Sequence, residues 1–362
     1  MALSMVEGIG DVLYRDLVSR FGSPRAVMEA SLGELRRAGG VGEKTALAIK
    51  GFDDWDRVDH CLEVCDRVGV DVVVVGGDGY PPNLAAIYNP PPLLYVRGEL
   101  LPTDSYAVAV VGSRAPDRYG RTVAEGLGAE LARRGITVVS GMARGIDSIA
   151  HRAALKAGGR TVAVLGCGID VVYPPENARL YEKISMQGAC ITEFHPGTRP
   201  ESVNFPRRNR VISGLSLGVV VVEASAKSGS LITAAFALEQ GREVFAVPGE
   251  ITKGVCRGSN RLIKAGAKLV EDVDDIVEEI AELREYVSSG ARGNDAGRAA
   301  VMEELTPDER AICEVLRQGV LSIDEIAELT GLGTSKALAS LLALELKGLV
   351  VQHQGKLFEM KL

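Results

Sequence analysis

The chain has 362 residues, 46% of them hydrophobic, and a mean hydropathy of +0.11, which describes a globular protein with room for two or three domains and excludes a disordered one. No apolar run reaches the roughly 20 residues that span a bilayer, and no basic region precedes an apolar core near residue 1, so a cytoplasmic protein with no membrane partner is expected. The formal charge of −7 weighs against nucleic acid until it is divided: residues 1–105 carry 10 basic and 16 acidic side chains, 106–270 carry 22 and 13, and 271–362 carry 9 and 19.

A basic block between acidic flanks marks where a polyanion is held, the competing reading being a solvated face. Cys61, Cys65, Cys167, Cys190, Cys256 and Cys313 show no zinc-ligand spacing and are expected to be reduced core thiols. No metal and no cofactor is expected.

In residues 1–52, Val6-Glu7-Gly8-Ile9-Gly10 precedes an amphipathic stretch to Phe21, and Gly39-Gly40-Val41-Gly42 precedes another from Glu43 to Ile49. Both resemble the turns of helix-hairpin-helix modules, whose glycines let the backbone approach a phosphate. The surroundings are acidic, so a small helical module packed on its neighbour is the favoured reading. Residues 53–104 read as a bridging segment: a helix over Cys61 to Val68, a strand over Val70 to Val75, rigid turns at Tyr80-Pro81-Pro82 and Pro90-Pro91-Pro92, and an extended Leu93 to Val96 leading into a sheet.

Residues 105–287 alternate short apolar runs with helical patterns. Ala107 to Val111 is followed by Gly112-Ser113-Arg114 and a helix from near Gly120 to Arg134. Ile136 to Val139 is followed by a loop holding Gly141 and Arg144, and Thr161 to Leu165, Ala189 to Thr192, Gly218 to Val222 and Glu243 to Val247 continue the series. This predicts an α/β fold, a Rossmann-like doubly wound, mostly parallel sheet whose ligand edge is the carboxyl end of the strands. Residues 288–304 read as a polar linker. Residues 305–362 read as a winged-helix-like domain, with helices over Asp308 to Leu316, Ile323 to Leu329 and Ser335 to Leu346 and a hairpin at Val350-Val351 and Leu357-Phe358. Its recognition stretch carries only Lys336, Lys347 and Glu345 as charges, which favours a protein contact over base reading.

Two further stretches on the sheet's ligand edge suit an anion. Phe205-Pro206-Arg207-Arg208-Asn209-Arg210 sets three guanidinium groups and an asparagine beside an aromatic ring, and Lys227-Ser228-Gly229-Ser230 sets a lysine and a small-residue turn before a helix. Several phosphate loops along one edge suit a strand with phosphates at intervals. The alternative for Arg207 or Arg210 is a buried ion pair with Glu193 or Glu223.

The runs VVGSR, SGMARGIDSIAH, GGRTVAVLGCGIDVVYPPEN, FPRRNRVISGLS and VVEASAKSGSLITAAFALEQGREVFAVPGE resemble the DNA-processing protein A family, DprA or Smf, in order over nearly the whole chain. The resemblance implies a non-catalytic protein that binds single-stranded DNA, forms a homodimer through the Rossmann-like domain, protects incoming DNA and loads the RecA recombinase in natural transformation. It puts DNA contacts at Arg114, Phe205 and Lys227, with Asn209 and Arg210 in the same pocket, and the dimer and recombinase surface near Ile251 to Leu269. Two other readings compete. A phosphoribohydrolase needs a carboxylate against the ribose, and none occurs from Ala224 to Leu238, leaving Glu193 and Glu223. A regulator reading duplex DNA would act through the tail. A nucleotide dehydrogenase lacks its Gly-x-Gly-x-x-Gly fingerprint after Val111.

Overall fold

Five short helices open the chain: α1 (Ala2–Met5), α2 (Asp11–Phe21), α3 (Pro24–Glu29), α4 (Leu32–Arg36) and α5 (Glu43–Lys50). The computed structural model describes residues 1–289, 306–316, 321–346, 350–353 and 357–360, in two units, Met1–Glu285 and Tyr286–Leu362. Gly10 and Gly42 stand at the N-caps of α2 and α5, and Ser23 and Ser31 cap α3 and α4 by accepting from the N–H groups of Ala26 and Glu34. Leu3, Tyr14, Leu17, Val27, Leu35 and Ile49 fill a small core of their own. The two glycine turns lie together, with Lys44 Nζ donating to Glu7 Oε1 at 2.7 Å.

After α6 (Trp55–Val68) come β1 (Val70–Val74), α7 (Pro82–Ala85) and β2 (Leu93–Gly98). Strict alternation follows: β3 (Ala107–Val111), α8 (Arg118–Arg133), β4 (Thr137–Ser140), α9 (Ile146–Lys156), β5 (Thr161–Val164), α10 (Ala178–Gln187), β6 (Ala189–Thr192), α11 (Asn204–Leu215), β7 (Gly218–Val221), α12 (Ser230–Glu239), β8 (Glu243–Ala246), α13 (Arg257–Lys264) and β9 (Lys268–Leu269). The unit closes with α14 (Asp274–Glu279), and α15 (Ala281–Ser288) follows.

All nine strands form one sheet in the order β1-β2-β6-β5-β4-β3-β7-β8-β9. From β6 to β9 every pairing is parallel, and β1 and β2 are antiparallel additions at the β6 edge. The segment read as a bridge thus supplies two strands of the sheet. Each residue of β3 to β7 is buried, as strands covered by helices on both faces must be, and this is why they read as unbroken apolar runs.

In the second unit, helices Pro307–Leu316, Ile323–Thr330 and Thr334–Leu346 pack Ile312, Leu316, Ile326, Leu341 and Leu344 against Val350 and Phe358. The hairpin Val350–His353 with Leu357–Met360 is joined by a third strand, Leu321–Ser322, which the sequence pattern was too short to signal. Lys336 is committed to Asp308 at 2.7 Å. Lys347 and, from residue 290, the expected linker lie outside the described residues.

At the amino ends of β3, β4 and β5 a single carboxylate ties three strands. Asp104 accepts from Arg160 Nε and Nη2 at 3.0 and 2.8 Å, from Thr137 Oγ1 at 2.8 Å and from the Leu101 N–H at 2.8 Å. Asp104→Ala leaves the largely buried Arg160 guanidinium without its counter-charge. We expect a loss of about 3–5 kcal/mol, read from urea unfolding followed by the fluorescence of Trp55, the single tryptophan.

Candidate nucleic-acid interface

The chain leaves β3 in one direction to build β4, β5 and β6, then returns through α11 to lay β7 on the other side of β3. The loops after β3 and β7 therefore part company, and a crevice opens at the carboxyl ends of the strands. It is a cleft of about 700 Å³, with Gly112, Ser113 and Arg114 on one wall, Phe205 and Asn209 on another, and Ser228, Gly229 and Ser230 at the N-terminus of α12 on a third.

Each wall is held from behind. Gly145 has φ of +77°, and a Cβ there would strike Ser113 O, so only glycine lets the start of α9 back onto the loop after β3. The Ile146 N–H then donates to Ser113 O at 3.1 Å. Gly166, after β5, leaves room for Phe205: a Cβ there would lie 2.7 Å from Phe205 Cδ1. Phe205 is half-buried, with the Tyr173 ring at 5.5 Å and the Arg114 guanidinium 5.6 Å above its own ring. Asn209 Nδ2 donates to Gly229 O at 3.4 Å, and the Ser228 and Ser230 hydroxyls share a hydrogen bond of 2.7 Å.

The cations divide into two groups. Arg114 and Lys227 are exposed, and among the described residues neither makes an ion pair. Arg208 lines the cleft, yet its side chain is buried and spent on the framework: Nη1 donates to Gly141 O at 2.8 Å and to Val164 O, and Nε to Asn209 Oδ1 at 3.2 Å. Burial pulls the Arg208 guanidinium down to about 10, a shift opposed by the carboxylate of Asp147. Asp147 accepts from the N–H groups of Gly141 and Ala143 at 3.1 and 3.3 Å, so the Gly141 backbone is turned into the protein. Burial raises the Asp147 carboxyl above its ordinary range.

Arg210 is not on the cleft. It is 3% exposed, and donates to Glu193 Oε2 at 2.5 Å, Asp11 Oδ2 at 2.8 Å and Asn89 O at 2.6 Å. The ion-pair alternative therefore describes Arg210, and its shared pocket with Phe205 is corrected: a guanidinium without water must spend its donors on fixed acceptors. Arg207 is half-exposed, lies 5.5 Å over the Phe194 ring and reaches Asp11 and Glu193 at 3.3 Å. Arg144 points to Glu176, in an exposed pair away from the cleft lining. Glu223 meets no arginine; it is buried, accepts from the Asp117 N–H at 3.2 Å, and its carboxyl is raised by burial.

Sequence reasoning missed Tyr173, Gly166, Asp147 and Asp11 as parts of this site. Asp11 had a signal, an acid at the first residue of a helix after a glycine turn, but its partners lie far along the chain. Through it the helical module is docked on α11.

The sequence model of the family described as DNA recombination-mediator protein A matches residues 71–281, the DprA winged helix domain matches 296–356, and a SAM-like helix-hairpin-helix tandem matches 1–50. Protein Smf of Synechocystis is 32% identical over 99% of this chain and 97% of its own. The X-ray structure of DNA processing protein A from Streptococcus pneumoniae superposes with a TM-score of 0.68 at 36% identity, covering 77% of this chain and 96% of that one. A structure of DNA processing protein A from Helicobacter pylori, described for its single-stranded DNA binding mode, gives a TM-score of 0.53 at 27% identity over 59% of this chain and 96% of that one.

The two groups of cations separate by stability. Arg210→Ala leaves Glu193 and Asp11 only the half-exposed Arg207 at 3.3 Å and is expected to cost about 3 kcal/mol, whereas Lys227→Ala is expected to stay within about 0.5 kcal/mol of wild type, both measured by chemical denaturation.

Proposed function

The chain belongs to the DprA/Smf family of DNA recombination mediators, and from that premise we propose that it is a non-catalytic protein that holds single-stranded DNA in the cleft between β3 and β7. Arg114 and Lys227, with the backbone of Gly112, Ser113 and Ser228 to Ser230, take the sugar-phosphate chain, and Phe205 stacks on a base. Asn209 fixes the loop before α12 and faces the same strand. The observation that carries this reading is Arg114, which among the described residues no carboxylate engages, set over the half-buried Phe205 ring on the cleft, with Lys227 exposed on the neighbouring loop beside the lining residue Ser228. The Helicobacter pylori relative, described for binding single-stranded DNA, supports it.

The strand serves recombination: the protein protects incoming DNA in the cytoplasm and hands it to the RecA recombinase as a homodimer. The dimer surface is the stretch around Ile251, which is 85% exposed, and Leu269 on β9, one of the sheet's two edge strands. The domains divide at residues 52, 104, 287 and 304, with the winged-helix-like tail contacting protein. A hydrolase is disfavoured because Glu193 Oε2 is occupied by Arg207 and Arg210 and Glu223 is buried under the loop at Asp117.

The test is binding of single-stranded and duplex oligonucleotides over a salt series. Single strands are expected to bind preferentially, with log K falling linearly in log salt. Arg114→Ala with Lys227→Ala should weaken binding and reduce the slope by about 1.4, two phosphate contacts at ~0.7 each. Equal binding by wild type and the double variant would overturn the cleft as the strand's track.

A further inference from the structure

Where the crevice opens, the Val222 N–H on the β7 side donates to Val111 O at the end of β3 at 3.0 Å. Beyond that bond the two chains part. One becomes the loop of Gly112, Ser113 and Arg114, the other the loop of Ser225 to Ser230, and both line the cleft. Glu223 stands one residue past the bond on the β7 side and is 1% exposed. Its side chain crosses to the other wall, where Oε2 accepts from the Asp117 N–H at 3.2 Å, at the far end of the Arg114 loop.

Two glycines make room for this bridge. A Cβ on Gly112 would lie 3.0 Å from Glu223 O, and a Cβ on Gly120, in the first turn of α8, would lie 2.6 Å from Glu223 Oε2. The loop after β3 is thus held at Val111 by β7, at Ser113 O by the Ile146 N–H at 3.1 Å, and at Asp117 by Glu223. Between the last two anchors lie Arg114, Ala115 and Pro116, and Arg114 sets its guanidinium over the Phe205 ring. Burial raises the Glu223 carboxyl, and the Asp117 N–H and the Ser113 side chain both act against that rise, so the two ends of the span face the same group. The Asp117 carboxylate has other partners, the Gly120 N–H at 3.0 Å and Lys253 Nζ at 2.9 Å. Glu223 Oε1 is buried with no hydrogen-bond partner. A buried carboxyl met at a single oxygen adds little to stability. What it does fix is the distance between the two walls.

We propose that Glu223 is a positioning residue for the strand: from the β7 side of the crevice its carboxyl clamps the end of the β3 loop and so holds Arg114 at a set spacing from the turn of Ser228 to Ser230. Arg114 then meets a phosphate without first having to order its own loop. The inference rests on the strand-binding reading above, to which it adds the group that sets the two walls against each other.

The experiment uses the full chain and a dT 15-mer over a salt series. Glu223→Met keeps the bulk of the side chain and removes the acceptor. It is expected to weaken binding about 3- to 10-fold and to lower the salt slope by about 0.7, the share of one phosphate contact. Glu223→Gln, which keeps an oxygen for the Asp117 N–H, is expected to restore both. The loss should appear in full in a Lys227→Ala background and vanish in an Arg114→Ala background, since there the clamp has no cation to position. A purely structural carboxyl would move the melting temperature and weaken both backgrounds alike, so an equal loss in the two overturns the proposal. A folded Glu223→Met protein with wild-type affinity and slope overturns it, and so does a Glu223→Gln protein that binds as weakly as Glu223→Met. Should Glu223→Met not fold, Gly120→Ala reaches the same contact from α8, because its Cβ takes the space of Oε2. The same loss, dependent on Arg114, is expected there, and unchanged binding by a Gly120→Ala protein overturns the clamp. Failure of the wild type to bind the dT 15-mer overturns the strand reading itself, and with it this role for Glu223.

Discussion

Two desolvated guanidinium groups on α11 hold the carboxyl edge of the sheet together. Arg208 takes carbonyl oxygens at Gly141 and Val164, just past β4 and at the end of β5, and Arg210 takes Glu193 past β6, the Asn89 carbonyl before β2 and Asp11 of the helical module. Helix α11 is the element that carries the chain back across the sheet to β7. Fixing its second turn therefore sets the width of the crevice beside β3. Breaking the Arg208 contacts leaves buried carbonyl oxygens unmet, and breaking those of Arg210 takes the closest cation from the buried Glu193 carboxylate.

The same helix also presents outward. Consecutive helical residues point about 100° apart, so a run of Phe-Pro-Arg-Arg-Asn-Arg cannot send all its side chains to one ligand. Arg208 and Arg210 are buried with Val211 and Ile212, Arg208 at the floor of the cleft, whereas Phe205 and Asn209 face the cleft and Arg207 lies half-exposed over the Phe194 ring. A basic cluster in sequence becomes a structural half and an open half, and the one charge on the open half, Arg207, is itself shared with Asp11 and Glu193.

Strands β3 to β7 were legible because each is an apolar run buried on both faces, and their alternation with helices indicated a mostly parallel sheet, whereas β9, two exposed residues, gave no such signal. The loops after β3 and β7 were legible too, since small residues next to an isolated cation suit little else. The role of Arg208 was not, because it depends on carbonyl oxygens at Gly141 and Val164; for Arg210 the ion pair with Glu193 stood as an alternative, but its second carboxylate, Asp11, lies 199 residues away. Local pattern also hid the pairing of β2 with β6 instead of with β3, since an antiparallel partner can be reached by the chain without a crossover helix.

The uneven charge of the chain acquires a different meaning from these contacts. The excess of basic residues over 106–270 invites the picture of a broad positive face, yet five of those 22 cations are matched by acids from the flanks. Arg160 pairs with Asp104, Arg207 and Arg210 with Asp11, Arg134 with Asp274, and Lys268 with Glu279. The acidic flanks are thus partly the counter-charge of the basic middle, divided by sequence and rejoined by folding. What remains for a polyanion is local, and at about 0.1 M salt charges farther away than ~10 Å contribute little. A protein of net negative charge therefore needs no basic surface to hold a strand. A few cations suffice, and among the described residues Arg114 and Lys227 are two that the fold leaves without a carboxylate.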